Sequence, residues 1–148
     1  MSFKEDIEKL ISQVPAEVWK DRTICGLLYD IFPWHGYSSV SVQTRQCDEH
    51  DPASWKYFEI SESNGEFLKS EFSEYNKSPD HLLYHSMLCR AAEALLEVDF
   101  GPYYASQTVS GFQLSLPFRL QVLDPDKTFT FNYCEFILAS KIHHAPST

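Results

Sequence analysis

The sequence is poor in glycine and in basic residues. Its 5 glycines form no Gly-x-Gly-x-x-Gly, P-loop or Gly-x-Ser-x-Gly pattern, so we expect no glycine-rich backbone cradle for phosphate. The chain has 12 lysines and arginines against 21 acidic residues, which gives a formal net charge of -9. Because binding to nucleic acid depends on clustered basic residues that displace counterions from the phosphates, we expect no nucleic-acid partner.

Long apolar runs and closely spaced cysteines are also missing. No run approaches the roughly 18 apolar residues that a membrane-spanning helix needs, and the first residues show no basic stretch followed by an apolar one, as a signal peptide would. The cysteines are Cys25, Cys47, Cys89 and Cys134, with no Cys-x-x-Cys pair among them. We therefore expect a cytoplasmic protein with free thiols and no membrane partner.

The residues that are present suit one folded domain over residues 1–148. Hydrophobic residues make up 43% of the chain, including 11 phenylalanines, 8 tyrosines and 3 tryptophans. A chain of about 150 residues can bury roughly 70% of its unfolded surface. Burial on that scale can offset the conformational entropy that is lost on folding.

Hydrophobic periodicity predicts two helices. Ser2 and Glu5 form a capping-box pattern, in which the serine oxygen accepts a hydrogen bond from a free backbone N–H group. The apolar stripe of this first helix consists of Phe3, Ile7, Leu10, Ile11 and Val14. The main helix is predicted to have Ser78 as its N-cap and Pro79 at its first helical position, and to end near Val98. Its wide apolar face implies that it packs on a sheet.

Alternating apolar and polar residues predict the first strands. Residues 24–31 show no clean alternation and suit either a central strand or a short helix, whereas residues 39–45 alternate and predict a half-solvated strand. The turn between them, which contains proline and glycine, favours a hairpin across residues 24–45. Residues 55–61 predict a third strand, and residues 66–77 suit an irregular segment or a short helix.

The clearest alternation lies in the last third of the chain. Residues 112–122 carry apolar side chains at the even positions, and residues 128–134 alternate again beyond a turn at Asp124 and Pro125. This pattern predicts a long antiparallel hairpin with one solvated face, and residues 141–148 are expected to fray. The elements together predict the α+β class, with an antiparallel sheet of about five strands and two helices packed on one face.

The main helix contains a spacing that metal sites use. His81, His85 and Cys89 are four residues apart, so two imidazoles and a thiolate could share one helix face and hold zinc. The three positions nevertheless drift around the helix by about 80° and border its apolar stripe. We therefore favour residues at the edge of the core over metal ligands at these positions, and we expect no cofactor.

Two other clusters have a functional and a structural interpretation. Asp48, Glu49, His50 and Asp51 could bind a hard cation or serve acid-base chemistry, but they lack the spacing of a calcium loop, and a solvated loop is the better interpretation. Trp34 lies in the turn of the first hairpin. It either covers the end of the sheet or contacts a partner.

The negative charge is concentrated in one segment. Residues 46–80 carry nine acidic and three basic residues, a net charge of -6, interleaved with aromatic side chains. Such a segment can serve solubility alone. It can also form a docking face, on which the electric field speeds association and the rings supply contact area.

The leading hypothesis is a non-enzymatic protein-binding module of the inhibitor or immunity type, which docks a basic partner, such as a nuclease toxin, through this acidic aromatic face. The residues predicted to bind the partner are Asp48, Glu49, Asp51, Trp55, Glu62, Glu66, Glu71 and Glu74, with Trp34 nearby. The alternative is a small metal-dependent enzyme or ligand-binding domain. Its pocket would lie between the main helix and the sheet and use His81 and His85 or the acidic loop.

Overall fold

The computed structural model describes residues 2–45, 51–64, 66–77, 80–100, 119–125 and 130–144, which form helices packed on a sheet. In chain order the elements are α1 (Phe3–Ser12), α2 (Ala16–Trp19), β1 (Ile24–Phe32), β2 (Tyr37–Thr44), a 3-10 turn (Pro52–Ser54), β3 (Tyr57–Ser63), α3 (Glu66–Lys77), α4 (His81–Leu96), β4 (Arg119–Gln121) and α5 (Tyr133–His144). The predicted α+β class is confirmed.

Within the described residues the sheet has four strands in the order β3-β2-β1-β4. β2 pairs antiparallel with both β1 and β3, whereas β4 pairs parallel with β1 and places Gln121 opposite Leu28. The predicted antiparallel sheet of about five strands is therefore corrected to a mixed sheet in the part described. A parallel neighbour requires a long crossover, and the elements between β1 and β4 supply it.

The N-terminal helix and hairpin form as predicted. Ser2 Oγ accepts a hydrogen bond from the Glu5 backbone N–H at 3.2 Å, and the whole apolar stripe of α1 is buried. Residues 24–31 belong to a strand, not to a helix. The ladder between β1 and β2 ends with Phe32 opposite Tyr37, on either side of the predicted turn.

Asp6 joins α1 to this hairpin through a buried carboxylate. Its side chain is 1% exposed, and its Oδ2 accepts hydrogen bonds from the hydroxyl of Tyr29 at 2.7 Å and the hydroxyl of Ser38 at 2.6 Å. The two donors lie on β1 and β2, so one carboxylate holds the helix against both strands. Both hydroxyls thereby gain the acceptor that a buried polar group needs.

The sheet is buried on two faces. The helical face of β1 and β2 consists of Leu27, Tyr29, Ile31, Val40 and Val42, which belong to the same core as apolar residues of α1, α4 and α5. The second face consists of Leu28, Asp30, Ser39, Ser41 and Gln43, joined by Gln121, all 7% exposed or less. The prediction that β2 is half-solvated is therefore wrong. Polar groups on this face pair with one another in place of water, as where Gln121 Nε2 donates to Gln43 Oε1 at 2.9 Å.

Two helices follow β3. The segment predicted as irregular or a short helix is helical, and α3 buries Phe72 in the core. α4 begins after Asp80, whose carboxylate accepts a hydrogen bond from the Leu82 backbone N–H at 2.9 Å. Asp80 is therefore the N-cap, and the predicted N-cap, Ser78, is wrong, because the aspartate immediately before the helix supplies the acceptor. Residues 78–79 lie outside the described residues.

The last helix contradicts the second strand of the predicted C-terminal hairpin. α5 begins at Tyr133, where the alternating pattern predicts a strand. The side chain of Asn132 provides the physical reason. Its Oδ1 accepts hydrogen bonds from the backbone N–H groups of Val122 at 3.2 Å and Cys134 at 3.0 Å, and its Nδ2 donates to Leu120 O at 3.1 Å. One amide thus holds the end of β4 and caps the start of α5.

Parts of the predicted C-terminal structure fall on residues that the structure does not describe. Residues 101–118 and 126–129 lie outside the description, and with them most of the first strand of the predicted hairpin. The tail expected to fray is helical from residue 141 to His144, and residues 145–148 are again outside the description. None of the helices described has the length and apolarity needed to cross a membrane.

Replacing Asp6 with alanine is expected to lower the free energy of unfolding by about 2–4 kcal/mol. The change leaves the hydroxyls of Tyr29 and Ser38 buried without their acceptor. Urea denaturation measures the effect. Glu8→Ala, at an exposed position of the same helix, is the control and should change stability by less than about 0.5 kcal/mol. An Asp6→Ala protein as stable as this control would show that the carboxylate contributes nothing.

Gly26→Ala is expected to cost about 1–3 kcal/mol of stability through overpacking. A Cβ atom at this position would lie 2.8 Å from Arg119 O and 2.8 Å from Gln43 Oε1, so it would push β4 away from β1. Thermal and urea unfolding measure the loss. Gly36→Asn is the control, because Gly36 has a φ of 64° with nothing within 4 Å of its Cβ position, and asparagine tolerates that conformation. Equal stability of both variants would contradict the close contact.

Candidate functional site

A cavity of about 610 Å³ opens on the second face of the sheet. Leu28, Asp30 and Gln121 line it from β1 and β4. Its other described lining residues include Asp51, Pro52, Ala53, Phe58, Arg119, Asp124, Phe131 and Asn132. None of the described lining residues of this second-face cavity belongs to α4. The pocket expected between that helix and the sheet stays a prediction, since neither His81 nor His85 is among these lining residues.

Asp30 is a buried carboxylate in this cavity. It is 7% exposed and has no hydrogen-bond partner among the described residues. Opposite it in the ladder lies Ser39, whose buried Oγ likewise has no hydrogen-bond partner in the described part of the chain. Buried polar groups in native proteins are nearly always hydrogen-bonded. Two neighbouring exceptions beside a cavity therefore mark a candidate functional site.

The environment of Asp30 shifts the pKa of its carboxyl group. Burial raises the pKa of Asp30 to about 7, and the nearby carboxylate of Glu59 adds to the rise. The group therefore changes charge near neutral pH. A positive charge that entered the cavity would favour its ionised form.

Two other aspartates of the chain accept hydrogen bonds from hydroxyl groups. Asp6 accepts from two hydroxyls, and Asp21 accepts from the hydroxyls of Tyr57 at 2.6 Å and Thr23 at 2.7 Å. Burial alone would raise the pKa of Asp21, but the hydrogen bonds from Tyr57 and Thr23 outweigh it and lower the pKa to about 2. Asp30 is buried as well, but no such donor to its carboxylate occurs among the described residues.

Glu59 lies at a bulge in β3 and interacts electrostatically with Asp30. Its φ of 45° is in the left-handed region, which is costly for a residue other than glycine. Its backbone N–H donates to Ser41 Oγ at 2.8 Å, and its carboxylate accepts from the Tyr37 hydroxyl at 3.2 Å. Burial and the charge of Glu62 raise the pKa of Glu59 despite that hydrogen bond. The bulge thus holds a second carboxylate close to the cavity.

Phenylalanine rings line the cavity together with Asp30. Phe32 is half-buried and stacks on Tyr37, with 4.5 Å between the ring centroids. Phe58 and Phe131 are each 38% exposed. Exposed rings in a cavity offer contact area that loses water when a ligand or partner binds.

The structure places some of the predicted partner-binding residues near the cavity. Asp51 is exposed and lines it, and Glu62 is exposed on the second face of β3. Trp55, in contrast, is 4% exposed, so its ring is not available for contact in this structure. Trp34 is 38% exposed and packs edge-on against Phe32 at 6.1 Å, so it partly covers the end of the sheet.

The remaining predicted residues are not brought together with the cavity. Glu66, Glu71 and Glu74 lie on α3 and are not among the described lining residues. Asp48 and Glu49 lie outside the described residues.

The predicted metal candidates lie on α4. His85 Nδ1 is 2.9 Å from the Tyr133 hydroxyl, and Cys89 Sγ is 3.7 Å from His85 Nε2, whereas His81 is exposed. Burial, with a further contribution from Glu93, raises the pKa of the Cys89 thiol, which disfavours the thiolate that binds metals. No group of three His, Cys, Asp or Glu residues suited to a metal ion occurs within the described ranges.

The sequence patterns did not lead to the prediction of Asp30, Glu59 or Gln121 as site residues. Asp30 had a usable signal, because a charged residue inside the apolar run of residues 24–31 has to be buried at a cost. Glu59 and Gln121 had no such signal in the sequence, since only strand pairing brings them to the same face of the sheet. Comparison of the chain with protein-family models, with curated proteins and with solved structures found no match. A function therefore has to be inferred from the chemistry of the cavity.

Asp30 is expected to make stability fall as pH rises. The pKa of its carboxyl is 3.8 when unperturbed and about 7 in the folded protein, so folding takes up a proton between these values. The free energy of unfolding should therefore decrease by up to about 1.4 kcal/mol per pH unit in this window, and this contribution should stay constant above it.

Asp30→Asn removes this titration while keeping the size of the side chain. The stability of the variant relative to the native chain should increase from about pH 4 to about pH 7 and then level off. Urea denaturation of both proteins across this range measures the difference, in which the other titrating groups largely cancel. A difference that does not vary with pH would show that the pKa of Asp30 is unperturbed.

Proposed function

We propose that the protein is a non-enzymatic binding module that docks a basic protein through the second face of its sheet, as an inhibitor or immunity-type protein does. The observation that supports this most is the composition of the second-face cavity. Asp30, Asp51 and Asp124 line it together with the exposed rings of Phe58 and Phe131. Carboxylates attract and orient a basic partner, and aromatic rings supply the contact area that holds it.

The charge balance of the cavity supports the same proposal. Arg119 lines the cavity, but its Nε donates to Glu135 Oε1 at 3.1 Å. Glu62 and Asp51 are exposed and extend the acidic surface to the rim. A cationic group of a partner would therefore meet an excess of negative charge on this side of the sheet.

The positions of the histidines favour binding over metal-dependent catalysis. His81 and His85 lie on α4, and none of the described lining residues is a histidine or a cysteine, although the His85 ring lies edge-on to the lining ring of Phe131 with 6.4 Å between the centroids. The lining thus combines carboxylates and apolar rings, which is the composition expected of a contact surface for a basic group.

A small-ligand pocket is the second candidate. The volume of 610 Å³ falls within the range of about 300–1,000 Å³ that small-molecule sites occupy. A carboxyl group whose pKa is about 7 also suits acid-base chemistry near neutral pH. Under this candidate the protein would bind a small molecule in the cavity and would need no protein partner.

Removing charge from the rim is expected to weaken docking. The double variant Asp51→Asn, Glu62→Gln should bind a basic partner roughly tenfold more weakly at low salt, because rim charges speed association. The immobilised full-length protein is incubated with extract of the source cells at low and high salt, and captured proteins are identified by mass spectrometry. Binding of the purified partner is then measured by surface plasmon resonance.

The matched control removes the same number of charges elsewhere. Glu8→Gln combined with Glu17→Gln alters exposed positions on α1 and α2 and should leave partner binding unchanged. Capture of a basic protein that both double variants bind equally would contradict docking through the second face. Recovery of no basic partner at low salt would contradict the proposed function itself.

A further inference from the structure

The lining of the second-face cavity contains hydrogen-bond acceptors. The carboxylate of Asp30 has no hydrogen-bond partner among the described residues. Gln121 donates through Nε2 to Gln43 Oε1 at 2.9 Å, which leaves its own side-chain carbonyl oxygen as a second acceptor in the lining. A group that satisfies this part of the cavity has to bring several donors and a positive charge.

The aromatic lining determines which cation fits best. Phe32, Phe58 and Phe131 present rings to the same cavity. A guanidinium is planar and weakly hydrated, so it stacks on aromatic rings while two of its N–H groups reach a carboxylate in parallel. An ammonium is compact and strongly hydrated, and it lacks the planar fork. The combination of rings with a carboxylate therefore favours a guanidinium.

The burial of Asp30 determines how the cation has to be presented. Because the side chain is 7% exposed, a group on the surface of a partner reaches it only on a long side chain. Arginine has an apolar stem that can lie against Leu28 and the phenylalanine rings while its head group reaches the carboxylate. A backbone N–H of a partner has no comparable reach.

We propose that the second-face cavity is a subsite for one arginine side chain of the basic partner, in which the guanidinium pairs with Asp30 and stacks on a phenylalanine ring. This subsite rests on the proposed function, since the arginine belongs to the docked protein. Asp30 and Ser39 have no hydrogen-bond partner for their side chains among the described residues, and strand pairing holds both, so the acceptor is positioned before the partner arrives.

Two-dimensional NMR of the full-length protein tests the subsite with small probes. The probes are N-acetyl-arginine amide, its uncharged analogue N-acetyl-citrulline amide, and N-acetyl-lysine amide. The arginine probe should shift signals of Asp30, Gln121 and Asn132 and bind at least about tenfold more tightly than the other two. Equal affinity for the arginine and citrulline probes, or shifts confined to α3, would overturn the subsite.

Variants of the cavity test the residues that the subsite requires. Asp30→Asn should weaken binding of the arginine probe by at least about tenfold. Phe58→Ala removes a ring that is 38% exposed and should weaken it several-fold, which keeps the test informative if Asp30→Asn fails to fold. Glu8→Gln is the control and should bind the probe like the native chain. Unchanged affinity in the cavity variants would overturn the subsite.

Peptides separate failure of the subsite from failure of the proposed function. A lysine-rich peptide with one central arginine should bind more tightly than the same peptide with lysine at that position, and Asp30→Asn should remove the difference. If both peptides bind alike and depend on Asp51 and Glu62, basic docking stands and the arginine subsite is overturned. If the arginine probe binds beside Asp30 while neither peptide binds, the ligand is a small molecule, which overturns both the subsite and the proposed function.

Discussion

Both faces of β1 are buried, so its side chains, apart from the partly exposed Cys25 and Phe32, have to be accommodated without bulk water. On the helical face Leu27 and Ile31 pack in the core, and the hydroxyl of Tyr29 meets the carboxylate of Asp6. On the second face Leu28 and Asp30 are enclosed by neighbouring strands and by the walls of the cavity. The strand at the centre of the core therefore also positions the candidate site, so a change to this strand affects both the stability of the fold and the site.

The carboxylates of this protein differ in how their burial is offset. A buried charge is costly unless hydrogen bonds or an opposite charge accompany it. Asp6 and Asp21 receive hydroxyl donors, and in doing so they hold α1 and the segment before β1 against the sheet. Asp30 receives no such donor from the residues that the structure describes, and its raised pKa expresses the cost of burial. A cation bound in the cavity would offset that cost. The carboxyl group whose burial is costly in the free protein is therefore the one best suited to bind a cation.

Elements whose signals lie within a few residues could be predicted. The cap and apolar stripe of α1 and the hairpin of β1 and β2 follow from such local patterns. The start of α5 could not be predicted in this way, because Asn132 reaches back to the backbone of Val122, and that contact competes with the alternating pattern of the surrounding residues. The burial of the polar face of β2 could not be predicted for a related reason. The alternating sequence of this strand indicates two different faces, but it does not reveal whether the polar face contacts water or protein.

For the site, the sequence alone determined the excess of acidic residues and the presence of one charge, Asp30, inside an apolar run. Only the tertiary structure decided that Asp30 lies opposite Ser39 and that Gln121 joins them from a parallel strand. The physical reason is the range of the interactions. Capping and amphipathic patterns depend on neighbours along the chain, whereas the composition of the cavity depends on strand pairing and helix packing between residues far apart in sequence.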